Sequence, residues 1–337
     1  MTIQSREIRL KARPTGELTP DLFELTERAV APPDDGEVRV RNLFMSVDPY
    51  MRGRMNDVES YTPPFALGEV LQGAAIGRVL ESRAPGLAAG DLVTSNLGWR
   101  EAFTAPPATL ARVAASKVPP SYHLGVLGMP GLTAYVGVLD IAAMRAGETL
   151  FVSGAAGAVG SIAGQIARVT GCRVIGSAGS DDKVRWLVDD LGFDAAFNYH
   201  DVDLEAALSE HAPDGLDGYF DNVGYEHLQA AINHMNDFGR IAACGSIAGY
   251  NAATPGPGPN NLAFVVRKRL MIRGFLVGDH GDWRAPFAAD MGRWLAQGSV
   301  RTRETVLEGI ERAPEAFIGL FDGANIGKML VRLAHED

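Results

Sequence analysis

The stretch at residues 149–170, TLFVSGAAGAVGSIAGQIARVT, constrains the fold of this chain more than any other segment. It opens with a short apolar run at residues 150–153, which predicts a buried strand. Small residues follow at 154–158. Apolar residues then recur at three- and four-residue spacing, which predicts a helix that stops at Gly171. A strand, a glycine turn and a helix in this order are typical of sheets that bind a dinucleotide.

The turn matches the pattern G-x-G-x-x-G with Ala155 in the first position, followed by Gly157 and Gly160. Gly157 would let the backbone approach a pyrophosphate, and Gly160 would let the helix lie close to its strand. The pyrophosphate would contact the free N–H groups of the helix N-terminus, where the helix dipole favours an anion. Small glycine-rich turns also occur without a ligand, so this pattern alone leaves both interpretations open.

The end of the next predicted strand, residues 172–177, bears on the choice of cofactor. Folds that bind NAD usually place an acidic residue there, about 20 residues after the glycine motif, to hold the ribose 2′-hydroxyl. This chain has Ser180 at that place and Lys183 one turn later. A missing acid beside a Ser and a Lys favours a 2′-phosphate and therefore NADP(H). The alternative is a solvated Lys183 whose charge is partly offset by Asp181 and Asp182.

Length and charge limit the class of protein. A chain of 337 residues suggests two domains, and a net charge of −10 without a basic run argues against nucleic acid or an anionic membrane as partner. Its two cysteines, Cys172 and Cys244, cannot form a disulfide framework or a four-cysteine zinc site, which suggests buried thiols in a reducing compartment. The N-terminus lacks the apolar core of a signal peptide, and the apolar stretch at 124–139 is too short to cross a bilayer. We therefore expect a cytoplasmic protein.

The pattern changes along the chain in a way that predicts two domains. Residues 1–122 contain short β-like runs divided by Gly and Pro, which indicates a partly open β-barrel. Over residues 123–294 helices alternate with six strands, the fifth at 240–244 and the sixth at 271–277, which indicates a doubly wound parallel sheet. The tail, residues 295–337, is too short for a domain and is expected to complete the first one. The predicted fold class is thus α/β, with a β-barrel domain beside a doubly wound sheet.

Several motifs together resemble one protein family. They are SVDPYMR at 46–52, GMPGLTAY at 128–135, AAGAVGS at 155–161, FDNVG at 220–224 and NIGK at 325–328. The combination is similar to the medium-chain dehydrogenase/reductase superfamily, and more narrowly to its zinc-free branch of prostaglandin reductases, plant alkenal double-bond reductases and bacterial curcumin reductases. The resemblance covers nearly the whole chain. It implies a GroES-like domain, a Rossmann domain, an active site in the cleft between them, NADPH as cofactor and a homodimer. The implied reaction is reduction of the carbon–carbon double bond of small α,β-unsaturated carbonyl compounds.

The resemblance also implies a set of cofactor-binding residues, with the first two near the nicotinamide. By position they are Met129, Thr133, Ala156, Gly157, Ala158, Val159, Lys183, Tyr199, Asn222, Cys244, Gly245, Ser246, Ile247, Phe275, Leu276, Val277 and Asn325. The end of the second predicted strand adds Ser180 to the cofactor-binding residues. One departure is visible, because relatives commonly have two glycines after Asn-Val and here Gly224 is followed by Tyr225. The zinc-containing branch needs a Cys and a His-Glu pair near residue 69. This chain has Leu-Gly-Glu there and no Cys before Cys172, so we expect no metal.

Reduction of an enone requires a proton donor near the carbonyl oxygen, where negative charge develops. A tyrosine hydroxyl is suitable because its ordinary pKa near ~10 keeps it protonated at neutral pH. Tyr250 is the leading candidate for this catalytic role, since it follows the fifth strand at the carboxyl end of the sheet, where ligands bind. Contact with the cofactor ribose alone is the alternative. Tyr50 and Tyr61 are expected to line the substrate side, with simple packing as the alternative for Tyr61.

Two other functions remain possible from the sequence. A quinone oxidoreductase of the same superfamily would share the NADPH site and pass electrons to a quinone. A non-catalytic protein that binds NADPH for structure or regulation belongs to a different class, and Tyr250 argues against it. The physiological substrate does not follow from the sequence, because it depends on the shapes of loops near residues 56–65, 252–261 and 277–283.

Overall fold

The computed structural model describes residues 1–114, 117–254 and 256–335. The chain divides into two compact units. The first consists of Met1–Leu124, Glu304–Asn325 and Met329–Asp337, and the second of Gly125–Arg303 and Ile326–Lys328. The second unit therefore runs to Arg303, beyond the boundary at 294 that the sequence suggested.

The strands and helices are numbered here in chain order. The strands are β1 (Ile3–Leu10), β2 (Phe23–Val30), β3 (Val38–Ser46), β4 (Ala75–Ser82), β5 (Leu92–Ser95), β6 (Ala102–Ala105), β7 (Ala111–Arg112), β8 (Thr149–Val152), β9 (Arg173–Ala178), β10 (Ala195–Asn198), β11 (Leu216–Asp221), β12 (Met235–Ala243), β13 (Met271–Gly274), β14 (Glu304–Glu308) and β15 (Lys328–Arg332). The helices are α1 (Met51–Arg54), α2 (Met129–Val136), α3 (Gly160–Val169), α4 (Asp181–Arg185), α5 (Leu204–His211), α6 (Tyr225–His234), α7 (Ala263–Arg267), α8 (Arg284–Gln297) and α9 (Ala313–Gly319). Among the described residues, no helix has the length and apolar character needed to span a bilayer.

The first unit is built on antiparallel strands, as the sequence predicted. In its described part, β1 and β2 form a hairpin, and a larger sheet has the order β14-β15-β3-β4-β5-β7, with β6 also paired to β3. Its core contains Trp99, which stacks on Phe23 with ring centroids 6.1 Å apart. The edge of Phe317, from α9 near the end of the chain, meets Trp99 at 5.9 Å. The C-terminal residues thus contribute to the core of the first unit.

The second unit contains the predicted doubly wound sheet. Within residues 125–254 and 256–303 its strands have the order β10-β9-β8-β11-β12-β13, and the neighbouring pairs are parallel. The residues of β8 after Thr149 are fully buried, as expected for a strand covered on both faces by helices. Helix α3 buries Ile162 and Ile166 against the sheet, while Arg168 on its other face is exposed.

Two of the strand boundaries predicted for the second unit were wrong by three residues or more. Strand β12 begins at Met235, because Met235 pairs with Leu216 before a register shift, and not at residue 240. Strand β13 ends at Gly274 and not at residue 277, because its partner β12 ends at Ala243 and offers no further pairing. Leu276 and Val277 therefore lie in the connection after the sheet.

Candidate functional site

The glycine turn between β8 and α3 has the geometry of a tight backbone turn. Its left-handed residue is Gly154, at φ +57°, and not Ala155, which occupies the first position of the fingerprint. Ala155 is buried, and its N–H bonds to the carbonyl of Ser177 on β9 at 2.9 Å. A Cβ on Gly160 would lie 2.5 Å from the carbonyl oxygen of Gly154. Only glycine therefore allows α3 to begin this close to the turn.

Backbone donors are available where α3 begins. In the described part of the chain, no backbone or side-chain acceptor bonds the N–H groups of Ala156, Val159 and Gly160. The turn is also held from its other side, because the N–H of Gly327 donates to the carbonyl of Ala156 at 2.8 Å. This contact was not predicted, although NIGK at 325–328 was noted as a motif. The start of α3 therefore presents N–H groups of the kind that bind a phosphate.

The second group of predicted cofactor residues lies at the ends of β9 and β10. Ser180 precedes α4, and Lys183 is half-buried in its first turn, where burial lowers the pKa of its ammonium group. Tyr199 follows β10, and a Cβ on Gly179 would lie 3.0 Å from its hydroxyl oxygen. The Tyr199 ring therefore lies across the end of β9, next to the start of α4.

Two acidic residues precede Lys183 at the start of α4. Asp181 accepts a hydrogen bond from the side-chain amide of Asn198 at 3.2 Å, and Asp182 forms an ion pair with Arg185. Each of these exposed carboxylates thus has a polar partner within the second unit.

A buried polar network holds the ends of β8 and β11 together. Asp221 is 2% exposed, and burial raises its pKa, while donors oppose that increase. These donors are the hydroxyl of Tyr219 at 2.7 Å and the N–H groups of Val223 at 3.0 Å and Gly224 at 2.7 Å. The amide of Asn222 donates to the carbonyl of Ser153 at 2.7 Å. The sequence did not single out Ser153 or Tyr219; the only signal was a polar residue at the end of an apolar strand.

The loop after β12 runs along the end of β11. The N–H groups of Cys244 and Gly245 donate to the carbonyl of Asp221 at 2.9 and 3.0 Å. Burial, together with the Asp221 carboxylate, raises the pKa of the Cys244 thiol to about 12, so this half-buried cysteine stays protonated. The structure thus brings the predicted residues 244–247 beside Asn222 at the carboxyl ends of β11 and β12.

Tyr250 turns back over this loop. Its hydroxyl oxygen accepts the N–H of Ser246 at 3.4 Å, and it would lie 3.4 Å from a Cβ on Gly245. Accepting this bond does not use the hydroxyl hydrogen, because a tyrosine hydroxyl both donates and accepts. The geometry is compatible with the predicted donor role and also with a cofactor contact.

Other predicted residues of the second unit are more dispersed. Helix α2 begins at Met129, which is 40% exposed, and Thr133 uses its hydroxyl locally to donate to the carbonyl of Met129 at 2.8 Å. Phe275 packs edge-on against Phe220, with ring centroids 6.5 Å apart. Leu276 remains 41% exposed.

The remaining predicted residues belong to the first unit. Asn325 is the last residue of the segment Glu304–Asn325 of this unit. Tyr50 precedes α1 and is half-buried; burial, and then the nearby Asp48, raise its pKa, while the neighbouring Arg54 opposes the increase. Tyr61 is 63% exposed. Within the described ranges, no three His, Cys, Asp or Glu side chains cluster closely enough to hold a metal ion.

A doubly wound sheet with such a turn, joined to an antiparallel β domain, defines a two-domain dinucleotide-dependent oxidoreductase. Two family models match, "N-terminal domain of oxidoreductase" over residues 6–113 and "Zinc-binding dehydrogenase" over 158–291. The chain is 41% identical over 333 residues to NADPH-dependent curcumin reductase of Escherichia coli (97% of this chain, 96% of that one). It is 42% identical over 340 residues to 2-alkenal reductase (NADP(+)-dependent) of Nicotiana tabacum (99% of each).

A solved structure agrees with these sequence relatives. The crystal structure of CurA in complex with NADPH from Vibrio vulnificus matches with a TM-score of 0.94 and 40% identity, over 98% of this chain and 100% of that one. The chain therefore belongs to the medium-chain dehydrogenase/reductase superfamily, in the branch that contains the curcumin and alkenal reductases. The family resemblance predicted from the motifs is confirmed.

Proposed function

We propose that this protein uses NADPH to reduce the carbon–carbon double bond of α,β-unsaturated ketones and aldehydes and leaves the carbonyl group intact. The observation that carries the proposal is the similarity, at 41% and 42% identity over almost the whole chain, to a curcumin reductase and a 2-alkenal reductase. The match at 40% identity to a structure that contains NADPH supports the cofactor.

The residues of the second unit fit this cofactor. The backbone of residues 156–159, with donors at the start of α3, suits the pyrophosphate. Ser180 and Lys183 stand where an acid would hold the 2′-hydroxyl of NAD, and they suit a 2′-phosphate instead. Asn222, fixed by the carbonyl of Ser153, and the loop at 244–247 complete this edge of the sheet. When bound, NADPH supplies the hydride for the β-carbon of the substrate.

The protein's own part in the reaction is to stabilise the enolate oxygen and to deliver a proton. We assign donation to that oxygen to Tyr250, whose hydroxyl lies at the carboxyl end of the sheet. Tyr50 and Tyr61 are proposed to contact the substrate. Because burial and Asp48 raise the pKa of Tyr50, its hydroxyl stays protonated over a wide pH range and can donate a hydrogen bond.

A kinetic comparison tests this function. Oxidation of NADPH is followed with a conjugated enone, a conjugated aldehyde and a quinone, and kcat/KM is determined for each. The proposal requires the enone or aldehyde to have the largest value. A quinone with the largest value would instead indicate a quinone oxidoreductase, and tight NADPH binding without turnover of any substrate would indicate a binding protein.

We further propose that two copies pair through the edge strand β13. Met271 and Ile272 on this strand are 43% and 39% exposed, and Val266 on the neighbouring α7 is 81% exposed. An exposed apolar edge strand presents backbone N–H and C=O groups with which a strand of a second chain can pair.

Light scattering after size exclusion should therefore give twice the chain mass of 35.9 kDa at micromolar concentration. Ile272→Lys should shift the protein toward the monomer, because it places a charge in the paired edge. Val202→Lys is the matched control, since Val202 is 43% exposed and lies away from this strand. A monomeric unmodified protein, or a dimer that Ile272→Lys leaves intact, would exclude this interface.

The cytoplasm is the compartment we propose. Both cysteines, Cys172 and Cys244, are free thiols, which suits a reducing environment. The net charge of −10 gives no support for a nucleic-acid partner.

A further inference from the structure

Tyr225, the first residue of α6, has an unusual backbone. It lies at φ +49°, in the left-handed region that bulky side chains rarely adopt, and follows Gly224 at φ +76°. In most places this chain uses glycine where φ is positive. A tyrosine held in this conformation indicates that contacts of its side chain offset the strain.

The ring of Tyr225 occupies space that two glycines leave open. A Cβ on Gly249 would lie 2.6 Å from its Cε2 atom, and a Cβ on Gly256 would lie 3.0 Å from its Cε1 atom. The first distance is shorter than real Cβ contacts allow and the second is tighter than most of them, so the ring packs directly on the backbone of these two residues. Tyr225 therefore touches the chain on both sides of Tyr250.

Other contacts hold the two ends of this segment. The N–H groups of Ile247 and Ala248 donate to the carbonyls of Asn222 and Val223 at 3.2 and 3.3 Å. Beyond the segment, the N–H of Asn260 donates to the side chain of Gln229 on α6 at 3.1 Å. The Tyr225 ring contacts Gly249 and Gly256, which lie between these anchors in the sequence and on either side of Tyr250.

We propose that Tyr225 is a positioning residue: its ring clamps Gly249 and Gly256 against the start of α6 and so fixes the Tyr250 hydroxyl beside Ser246. The catalytic consequence rests on the proposed enone reduction, whereas the clamp itself does not. With this clamp the Tyr250 hydroxyl is held in one orientation, because the Tyr225 ring restricts the loop that carries Tyr250 before the substrate binds.

Hydrogen exchange tests the clamp without any activity measurement. Tyr225→Gly accepts the positive φ, so the fold is expected to persist, while the amides of residues 247–254 should exchange about tenfold faster. Tyr225→Phe keeps the ring and should exchange like the unmodified protein. The amides of α3 serve as an internal reference that should not change. Unaltered exchange of residues 247–254 in Tyr225→Gly would overturn the proposal.

A double-mutant cycle gives an independent test of the same contact. Gly249→Ala alone should loosen the segment, because its methyl group would overlap the Tyr225 ring. In the Tyr225→Gly background the same change should have little effect, since the ring is gone. Equal effects of Gly249→Ala in both backgrounds would show that the two residues act separately and would contradict the clamp.

The link to catalysis is tested with an enone in the Tyr250→Phe background. When Tyr250 is present, Tyr225→Gly should lower kcat several-fold, and Tyr225→Phe should retain activity. When Tyr250 is replaced by Phe, Tyr225→Gly should lower kcat little further. Fully additive losses would contradict an action through Tyr250. If no enone is reduced at all, the proposed function fails, and the exchange experiments still decide the clamp.

Discussion

Replacing Lys183 by alanine is expected to remove most of the preference for NADPH over NADH. A charge-assisted hydrogen bond to phosphate contributes about 1.5–3 kcal/mol, so the ratio of the two dissociation constants should fall by roughly ten- to a hundredfold. The lysine is half-buried, and burial lowers its pKa. A 2′-phosphate would give this ammonium group a charged partner at the place where folds that bind NAD usually carry an acid.

Arg185→Ala is the matched control, because it removes a positive charge from the same helix at a more exposed position. It should leave the cofactor preference nearly unchanged when both dissociation constants are measured by calorimetry. The preference of the unmodified protein should also decline at alkaline pH, since a lysine with a lowered pKa loses its charge earlier as the pH rises. Equal dissociation constants for NADPH and NADH in the unmodified protein would refute the assignment.

Tyr250→Phe is expected to lower turnover more than it weakens NADPH binding. The change keeps the ring and removes the hydroxyl that would stabilise the enolate oxygen. Loss of one such donor in other enzymes costs about 10²–10³-fold. We expect a smaller loss here, because a ribose hydroxyl of the cofactor can also donate to that oxygen. Steady-state kinetics with an enone, together with the NADPH dissociation constant, separates the two effects.

Tyr122→Phe is the control for this substitution, since Tyr122 is a tyrosine of the first unit with no proposed role. It should leave kcat unchanged. If Tyr250→Phe keeps full turnover and an intact fold, Tyr250 takes no part in the chemistry. The donor would then be sought at Tyr50, whose raised pKa keeps its hydroxyl protonated, or at Tyr61.

The sequence predicted the elements whose signals are local. The apolar run of β8, the small residues of the turn and the period of α3 lie in one short stretch. The start of β12 and the end of β13 were not predicted correctly. Both depend on where the partner strand offers pairing, and pairing joins residues far apart in the chain.

The site was predictable where a residue's place follows from motif position. The residues of the turn, the start of α4 and the loop at 244–247 lie at the carboxyl edge of the sheet because that topology puts them there. The Asp221 network and the Tyr225 ring contacts were not predictable in this way. They depend on which buried atoms face each other after the strands have paired, and residue spacing does not contain that information.

The product formed from a conjugated ketone shows whether the carbon–carbon double bond or the carbonyl group is reduced. The protein is incubated with the ketone and NADPH carrying deuterium at the transferred position, and the product is identified by NMR. We expect a saturated ketone with an intact carbonyl carbon and deuterium on the former β-carbon. An allylic alcohol with deuterium on the former carbonyl carbon would contradict reduction of the carbon–carbon double bond.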